Sequence, residues 1–507
     1  MFQNVGQSRN IVIYLMCLCI FPCWLFWWTL HNPLPDGYQN EYLHVGNAYD
    51  LWEALLRLDV WHLRWYMYTN YWPWGFYAVG WPALLATGKT VQGLILSNLW
   101  YYGLLCWSMH RLAKVFDSPY ALLLLLLCPA VFGSMTRFEP NLANISMLSV
   151  GLMCLVNSQS LNQRGWTIGW GAALGVGLML DRLTILFFLG PAVLAYVPEM
   201  SRKKMVNLLL ASGVGLFITA AYYREFLLRH TEELFSQAPI GEIDSTGELI
   251  LSDNPIPWLY YPFSLVDNQA GPFVGLVMVV GLALAIWRPQ KKDALLWLTM
   301  LPAFVLFTFI AKKQSYYTFP LLVPLALLGG RLPLLSRVGI GGGIVGWLAM
   351  GVGIGSLGSP FLPEKWVSPR YVLARPPSFQ EWPIDDLAQQ MTAAEEIVVF
   401  SEDVELYEGF LVLKLRQYTD GHVRGITLDP IGVWEFLDRA EYVVWMTESG
   451  KKWPSAGIIE AELISDHYDV AELPDLAQRL ESLETEFRKE GEWISGDGRL
   501  MLFRRAR

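Results

Sequence analysis

The sequence predicts a polytopic α-helical membrane protein of about eleven spans, followed by a small C-terminal α/β domain. Of its 507 residues, 53% are hydrophobic and only 16% are charged, whereas soluble proteins have about 25% charged residues. Apolar runs recur as far as residue 360, and the basic residues between them alternate in the pattern of a membrane topology. After residue 364 short β-type runs alternate with helical patterns.

The first apolar run, residues 11–30, is long enough to cross a bilayer and follows Arg9. It lacks the shorter core and the small-residue cleavage site of a signal peptide, so we interpret it as an anchor. The positive-inside rule then places Arg9 in the cytoplasm and the outer loop 31–90 outside. Because this loop is rich in Trp and Tyr, which favour the bilayer interface, it predicts juxtamembrane helices rather than a full hairpin.

Each of the ten later apolar runs is predicted to cross the membrane once. They lie at about 91–112, 120–134, 141–157, 166–180, 183–197, 206–222, 272–287, 294–310, 316–330 and 338–357. One set of links shares the side of Arg9 and is basic: it contains His110, Arg111, Lys114, Arg164, Arg202, Lys203, Lys204, Arg288, Lys291, Lys292, Arg331 and Arg337. Eleven spans in an inner membrane place the C-terminal domain outside the cytoplasm.

The links on the other side carry charges that the positive-inside rule does not explain. They contain Arg137, Glu139, Asp181, Arg182, the long loop 223–271, Lys312 and Lys313. Charged groups at this boundary are costly, and they usually pair or line a polar cavity. Ion pairing, for instance of Arg182 with Asp181, explains any single residue as well as function does. The whole set on one side favours a functional site.

The polar segment 33–52 follows the first span and predicts a Pro-Asp-Gly turn before an amphipathic helix. Large side chains recur there at helical spacing, at Tyr38, Tyr42, Val45 and Tyr49. This pattern puts Asp36 at the membrane surface, in front of a helix start and beside Glu41. A helix-capping Asp36 with a solvated Glu41 explains the pattern equally well.

The tail, residues 364–507, follows a proline-rich linker at 358–377 and predicts a small α/β domain with a largely parallel sheet. Strands are predicted at 397–400, 423–427, 442–446 and 499–505, and helices at 404–416, 431–439 and 471–490. The tail carries 28 acidic and 16 basic residues, which argues against nucleic-acid binding. It has no nucleotide-binding motif. The domains are therefore predicted as 1–360 in the membrane and 364–507 outside it.

Cysteines and histidines point to no metal or disulfide chemistry. All six cysteines lie in or beside apolar runs before residue 155, and the seven histidines are scattered. The sequence therefore predicts neither a disulfide framework nor a Cys/His metal site.

Four stretches follow, in order, the pattern of a known superfamily. They are Asp36 to Tyr42, the basic turn 111–130, 136-TRFEPNLANISM-147 and 312-KKQSYYTFPLLVPLALLGG-330. With the anchor and the polytopic bundle, they resemble the GT-C polyprenyl-phosphate-sugar glycosyltransferases. The nearest likeness is to the family 39 group, which includes protein O-mannosyltransferases and the lipid A aminoarabinose transferase.

The sequence departs from that pattern at three positions. The contiguous Asp-Glu pair of the family is Asp36-Gly37 here, with the next acid at Glu41. Glu139 takes the place of an Asp, and Arg182 takes the place of a Lys.

The resemblance implies transfer of a sugar from a polyprenyl-phosphate donor to a hydroxyl or amine on a lipid, polysaccharide or protein acceptor. It implies that Asp36 is the general base, that Glu139 is the second carboxylate, and that Glu41 is another candidate for it. Cations at the outer boundary would bind the donor phosphate, with two tyrosines that orient the phosphate or cover the lipid: Arg137, Arg182, Lys312, Lys313, Tyr316 and Tyr317. The reaction would be an inverting in-line displacement. A divalent cation is possible near Asp36, Glu41 and Glu139, but the basic set makes it unnecessary.

Two other classes of function stay open from the sequence. A transporter of a polar or lipid-linked substrate would place its site near the bilayer midplane, on broken helices and internal repeats; here the charges lie at the edge of the spans and no repeat is evident. A non-catalytic assembly protein for envelope glycans would use the C-terminal domain as its interaction module, and Asp36 would be dispensable.

Overall fold

The structure, a computed structural model, describes two parts of the chain. In the N-terminal part these are residues 19–30, 39–61, 63–64, 73–88, 90–196, 201–235, 259–309 and 315–351; in the tail they are 387, 390–391, 396–401, 415, 422–425, 439–447, 486–495 and 498–506. The chain divides into two compact units. Unit 1 is Met1–Leu30, Asn47–Glu242 and Leu249–Pro376, and unit 2 is His31–Gly46, Ile243–Glu248 and Pro377–Arg507.

Most of the described residues before 352 are in helices. They are α1 Cys19–Leu30, α2 Gln39–Leu56, α3 Gly75–Thr87, α4 Val91–Leu96, α5 Asn98–Val115, α6 Ala121–Leu126, α7 Pro129–Met135, α8 Asn141–Asn157, α9 Arg164–Leu180, α10 Thr184–Tyr196, α11 Arg202–Phe235, α12 Tyr260–Ser264, α13 Pro272–Trp287, α14 Asp293–Phe309, α15 Leu322–Gly329 and α16 Pro333–Gly351. A π-helix, Leu265–Gln269, follows α12, and a 3₁₀-helix, Ser315–Leu321, precedes α15. The predicted amphipathic helix is α2, in which Val45 and Tyr49 are buried.

Several predicted spans are not single helices. The run 120–134 is divided into α6 and α7, because Pro129 has no N–H to continue α6 and instead opens α7. The run 316–330 is divided between the 3₁₀-helix and α15. By contrast, α11 is longer than predicted: it has 34 residues and continues to Phe235, past the predicted end at 222 and into the predicted loop 223–271.

One helix in the described part of the chain, Arg202–Arg224, is long and apolar enough to cross a membrane by length and composition. Five apolar helices are shorter: Cys19–Leu30, Asn141–Asn157, Pro272–Trp287, Asp293–Thr308 and Tyr316–Gly329. The count of eleven spans therefore stays a prediction.

Small residues bring α9 and α11 close together. A Cβ added to Gly171 would lie 2.2 Å from the Ala211 carbonyl oxygen, and one added to Gly175 would lie 3.0 Å from Gly215 Cα. Glycines at a helix interface allow such close backbone contact in membrane bundles. The contact continues to the end of α9, where the Tyr223 hydroxyl donates to the Leu178 carbonyl at 2.9 Å.

At the C-terminal end of α5, charged residues join the helices. We call Asp117, Lys292, Asp293 and Arg331 the clip cluster. Lys292 pairs with Asp117, and Arg331 pairs with Asp293 at 2.6 Å. Arg331 also donates from Nε to the Phe116 carbonyl at 3.1 Å. These contacts connect the end of α5 to the start of α14 and to the end of α15.

The tail contains a five-stranded sheet of order β2-β1-β3-β5-β4. Its strands are β1 Glu396–Ser401, β2 His422–Gly425, β3 Tyr442–Thr447, β4 Phe487–Ser495 and β5 Gly498–Arg505. Pairs β1–β2 and β1–β3 are parallel, and β3–β5 and β4–β5 are antiparallel. The four predicted strands are present, but the sheet is mixed rather than largely parallel.

The fifth strand overturns part of a predicted helix, because residues 487–490 of the predicted helix 471–490 belong to β4. The predicted helices 404–416 and 431–439, and residues 471–485, lie almost wholly outside the described residues. One face of the sheet forms a core that includes Ile397, Val444 and Leu502.

Candidate functional site

The connection between α7 and α8 carries two of the predicted site residues. Arg137 and Glu139 are both buried, with 6% and 4% of their surfaces exposed. Between them, the Phe138 ring stacks on Phe76 of α3, with 4.6 Å between ring centroids. Two charged residues are thus buried inside the helical unit. Burial of a charge is costly unless it has compensating partners.

Glu139 lies just before the first turn of α8. Its Oε2 accepts a hydrogen bond from Asn141 Nδ2 at 2.7 Å, while Oε1 accepts none from the described residues. Burial raises the pKa of Glu139 above its ordinary value, and the Arg137 charge and the Asn141 bond oppose that shift. Burial therefore dominates, and Glu139 holds a proton more readily than an exposed glutamate does.

Asp181 and Arg182 lie where α9 ends and α10 begins. Asp181 Oδ2 accepts a hydrogen bond from Asn144 Nδ2 at 2.6 Å, and Oδ1 accepts one from the Leu183 backbone at 3.0 Å. Burial again raises the pKa of Asp181, against the Leu183 bond and the Arg182 charge. The Arg182 guanidinium lies 4.7 Å from the Phe226 ring centroid of α11, a cation–π contact.

Two asparagines of α8 bring these groups to one helix end. Asn141 and Asn144 are three residues apart, so their side chains lie on neighbouring positions of the first turn. Asn141 holds Glu139, and Asn144 holds Asp181. The structure therefore gathers Arg137, Glu139, Asp181 and Arg182, which we call the site cluster, around the N-terminus of α8.

The sequence analysis missed these asparagines. The available signal was the pair of amides three residues apart directly after Glu139. A helix N-terminus with two guanidinium groups beside it is suited to bind an anion such as a phosphate.

Tyr316 and Tyr317 lie on the 3₁₀-helix, which contacts α8. Both are half-buried, and the Tyr317 ring stacks on Phe307 at 5.2 Å. Gln269 at the end of the π-helix bonds Thr318 at 2.8 Å, so the segment of the two tyrosines is tied to the π-helix. These contacts hold both tyrosines on a segment packed against α8, the helix whose first turn bonds the carboxylates of the site cluster.

The side chains of the remaining predicted site residues lie outside the described part of the chain. Asp36, Lys312 and Lys313 lie outside the described residues, and of Glu41 only the backbone, in α2, is described. Among the described residues no group of three His, Cys, Asp or Glu side chains could hold a metal ion. The predicted cation position involves Asp36 and Glu41, so it stays a prediction.

Comparison with known proteins adds one finding about the whole chain. No protein-family model and no curated protein sequence matches it. The crystal structure of ArnT from Cupriavidus metallidurans in the apo state matches 98% of this chain and 98% of its own, with a TM-score of 0.56 and 14% identity. The same protein bound to undecaprenyl phosphate matches 97% of each chain, with a TM-score of 0.55 and 15% identity.

The chain has an ArnT-like fold. The likeness covers nearly the full length of both chains, so it includes the helical unit and the tail. It confirms, at the level of the fold, the predicted resemblance to family 39 transferases. An ArnT-like fold also agrees with the predicted polytopic helical protein.

Proposed function

We propose that this chain is a membrane glycosyltransferase that moves a sugar from a polyprenyl-phosphate donor to an acceptor hydroxyl or amine. The observation that carries the proposal is the site cluster: two arginines, the buried carboxylate of Glu139 and the partly buried carboxylate of Asp181 around one helix N-terminus, within an ArnT-like fold. The related crystal structure contains undecaprenyl phosphate. A donor of the same chemical class suits the present site, because its phosphate needs cations and its chain needs lipid.

The donor phosphate is assigned to Arg137 and Arg182, together with Lys312 and Lys313. Cations stabilise the phosphate as its bond to the sugar breaks, so the charge that develops on the leaving group is compensated. Arg182 lies on the Phe226 ring and beside Asp181, which orient its guanidinium group before a ligand arrives. Tyr316 and Tyr317, on the 3₁₀-helix that contacts α8, are assigned to orient the phosphate or cover the lipid.

Asp36 is assigned as the general base that accepts the proton of the acceptor. An attacking hydroxyl loses its proton as it forms the new bond to the sugar, and a positioned carboxylate accepts it. The phosphate leaves without protonation, so one base is sufficient. Glu139 binds the acceptor or the sugar through a carboxyl group whose Oε1 is available as far as the described residues show.

Binding and transfer test this proposal separately. The purified full chain in lipid nanodiscs should bind undecaprenyl phosphate, and Arg337→Gln, at the far end of the bundle from the site cluster, should bind it equally well. Mass spectrometry of lipids and envelope glycans should then show an added sugar in cells with the wild-type chain and none with Asp36→Asn. Binding without any added sugar would instead favour an assembly protein.

The membrane arrangement belongs to the same proposal. We place the chain in the inner membrane as a multi-pass protein, with the tail outside the cytoplasm. Reporter fusions after Lys204 and after Arg375 should report the inside and the outside, respectively. Two reports from the same side would make the predicted span count wrong.

A further inference from the structure

The backbone that carries Arg137 is held by a side chain from another helix. Asn98, the first residue of α5, is fully buried. Its Nδ2 lies 2.7 Å from the Arg137 carbonyl oxygen, 3.1 Å from that of Met135 and 3.3 Å from that of Ser134. One amide group, with two hydrogens, is therefore shared among three backbone carbonyls within about one turn, where α7 ends.

This contact has a clear physical reason. The last carbonyl groups of a helix have no partner within the helix, and buried carbonyls need a donor. Asn98 supplies that donor to the last carbonyls of α7, those of Ser134 and Met135. The same amide group also donates to the carbonyl of Arg137. The stack of Phe138 on Phe76 holds the residue that follows Arg137.

We propose that Asn98 is a positioning residue of the donor site, which sets the place of Arg137 and, two residues later, of Glu139. This inference rests on the proposed function, because it assigns a role in holding the donor phosphate. Asn98 itself need not touch the donor. It acts through the backbone of residues 134–137, and an error of 1 Å in the place of a binding group can cost about a hundredfold in rate.

Another asparagine of the same bundle provides a matched control. Asn207 of α11 is also fully buried, and its Nδ2 donates to the Leu161 carbonyl at 2.8 Å. It clamps the loop between α8 and α9, at the opposite end of these helices from the site cluster. That loop contains three consecutive left-handed residues, at Gln159, Ser160 and Leu161, so it also depends on being held.

The experiment compares Asn98→Leu with Asn207→Leu. Both changes remove a buried amide donor at similar side-chain size and add no charge. Affinity for undecaprenyl phosphate is measured in nanodiscs, at a temperature at which each variant is folded. Asn98→Leu should weaken binding about tenfold to a hundredfold, as expected when a charged hydrogen bond is lost, while Asn207→Leu should stay within about twofold of the wild type.

A double-mutant cycle separates positioning from general stability. In an Arg137→Gln background, Asn98→Leu should weaken binding by less than about twofold, because the group that it positions is already gone. Asn98→Ser, which keeps one donor and is smaller, provides the same comparison if Asn98→Leu does not fold. Wild-type affinity in a folded Asn98 variant, or full additivity with Arg137→Gln, would overturn the inference. No binding by the wild type would instead overturn the proposed function itself.

Discussion

Charged residues of neighbouring segments lie near both ends of α5, but they are paired differently. At the C-terminal end, the clip cluster joins acids to bases directly: Asp117 to Lys292, and Asp293 to Arg331. At the N-terminal end, about 27 Å away along 18 helical residues, the carboxylates of the site cluster accept hydrogen bonds from asparagine amides.

The pKa shifts of the two ends have opposite signs. The Lys292 hydrogen bond and charge lower the pKa of Asp117, whereas burial raises the pKa of Glu139 and of Asp181. A direct ion pair fixes a carboxylate in its charged form and joins two helices. An amide holds a carboxylate in place without neutralising it, so the group stays able to exchange a proton or to bind a ligand. The clip cluster therefore suits a structural role and the site cluster a chemical one.

The largest effect is expected from Asp36→Asn. A general base contributes about 10²–10⁴-fold to rate, and asparagine keeps the size of the side chain and its ability to cap a helix. We expect sugar transfer to be nearly lost while undecaprenyl phosphate still binds, as measured by mass spectrometry of the glycan product and by nanodisc binding.

Asp117→Asn in the clip cluster is the matched control for Asp36→Asn. It makes the same chemical change in a carboxylate that is paired with Lys292, and transfer should continue. Wild-type transfer by Asp36→Asn would remove the catalytic assignment and favour the assembly protein. Glu41→Gln tests whether Glu41 supplies the second acid of the family pattern. If it does, Glu41→Gln and Asp36→Asn should both lose transfer.

The next effect concerns the clip cluster. Arg331→Gln leaves the buried Asp293 without its cation, and loss of one partner from a buried pair costs about 3–5 kcal/mol. The melting temperature should fall clearly, whereas affinity for undecaprenyl phosphate, measured on the folded protein, should not change. A large loss of affinity at full stability would mean that the two ends are not separate in function.

A smaller effect is expected from the guanidinium groups of the site cluster. Arg137→Gln and Arg182→Gln should each weaken undecaprenyl phosphate binding by about 1.5–3 kcal/mol, the contribution of a hydrogen bond to a charged group. Arg337→Gln is the control, since Arg337 bonds the Tyr120 hydroxyl beyond the C-terminal end of α5. A fall in melting temperature with unchanged affinity would support simple ion pairing for Arg137 and Arg182.

Sequence patterns predicted the regular elements but not the interruptions within them. Hydrophobicity located α8, α9, α13 and α14 nearly to their ends, because a long apolar run leaves few alternatives. It did not divide 120–134 at Pro129, and it ended α11 at 222, because the polar residues after Tyr223 resemble a loop by composition. The first four residues of β4 were taken for the end of a helix because three of them are charged and consecutive, which the edge position of the strand allows.

The site was partly predictable for a related reason. Basic residues that broke the positive-inside rule, with acids on the same side, pointed to Arg137, Glu139, Asp181 and Arg182, and the structure brings these four around the first turn of α8. The groups that hold them, Asn98, Asn141 and Asn144, carry no charge and stand inside apolar runs, so no charge rule detects them. Only tertiary contacts show that Asn98 lies against residues 134–137, which are nearly forty positions later.

The smallest effect is the pH dependence of stability. Its sign should differ between Glu139 of the site cluster and Asp117 of the clip cluster. Glu139 has a raised pKa in the folded state, so its contribution to stability is present below the unfolded value of 4.5 and is lost as pH rises through the folded value. Glu139→Gln removes this loss of stability, so the melting temperature of the variant should rise relative to that of the wild type as pH increases from about 4 to 8.

Asp117 has a lowered pKa, so its contribution to stability is present above the unfolded value of 3.8 and is lost as pH falls. Asp117→Asn should therefore be less stable than the wild type at neutral pH, with the difference disappearing in acid. Thermal unfolding across this pH range measures both, and equal signs for the two variants would contradict the contrast between the site cluster and the clip cluster.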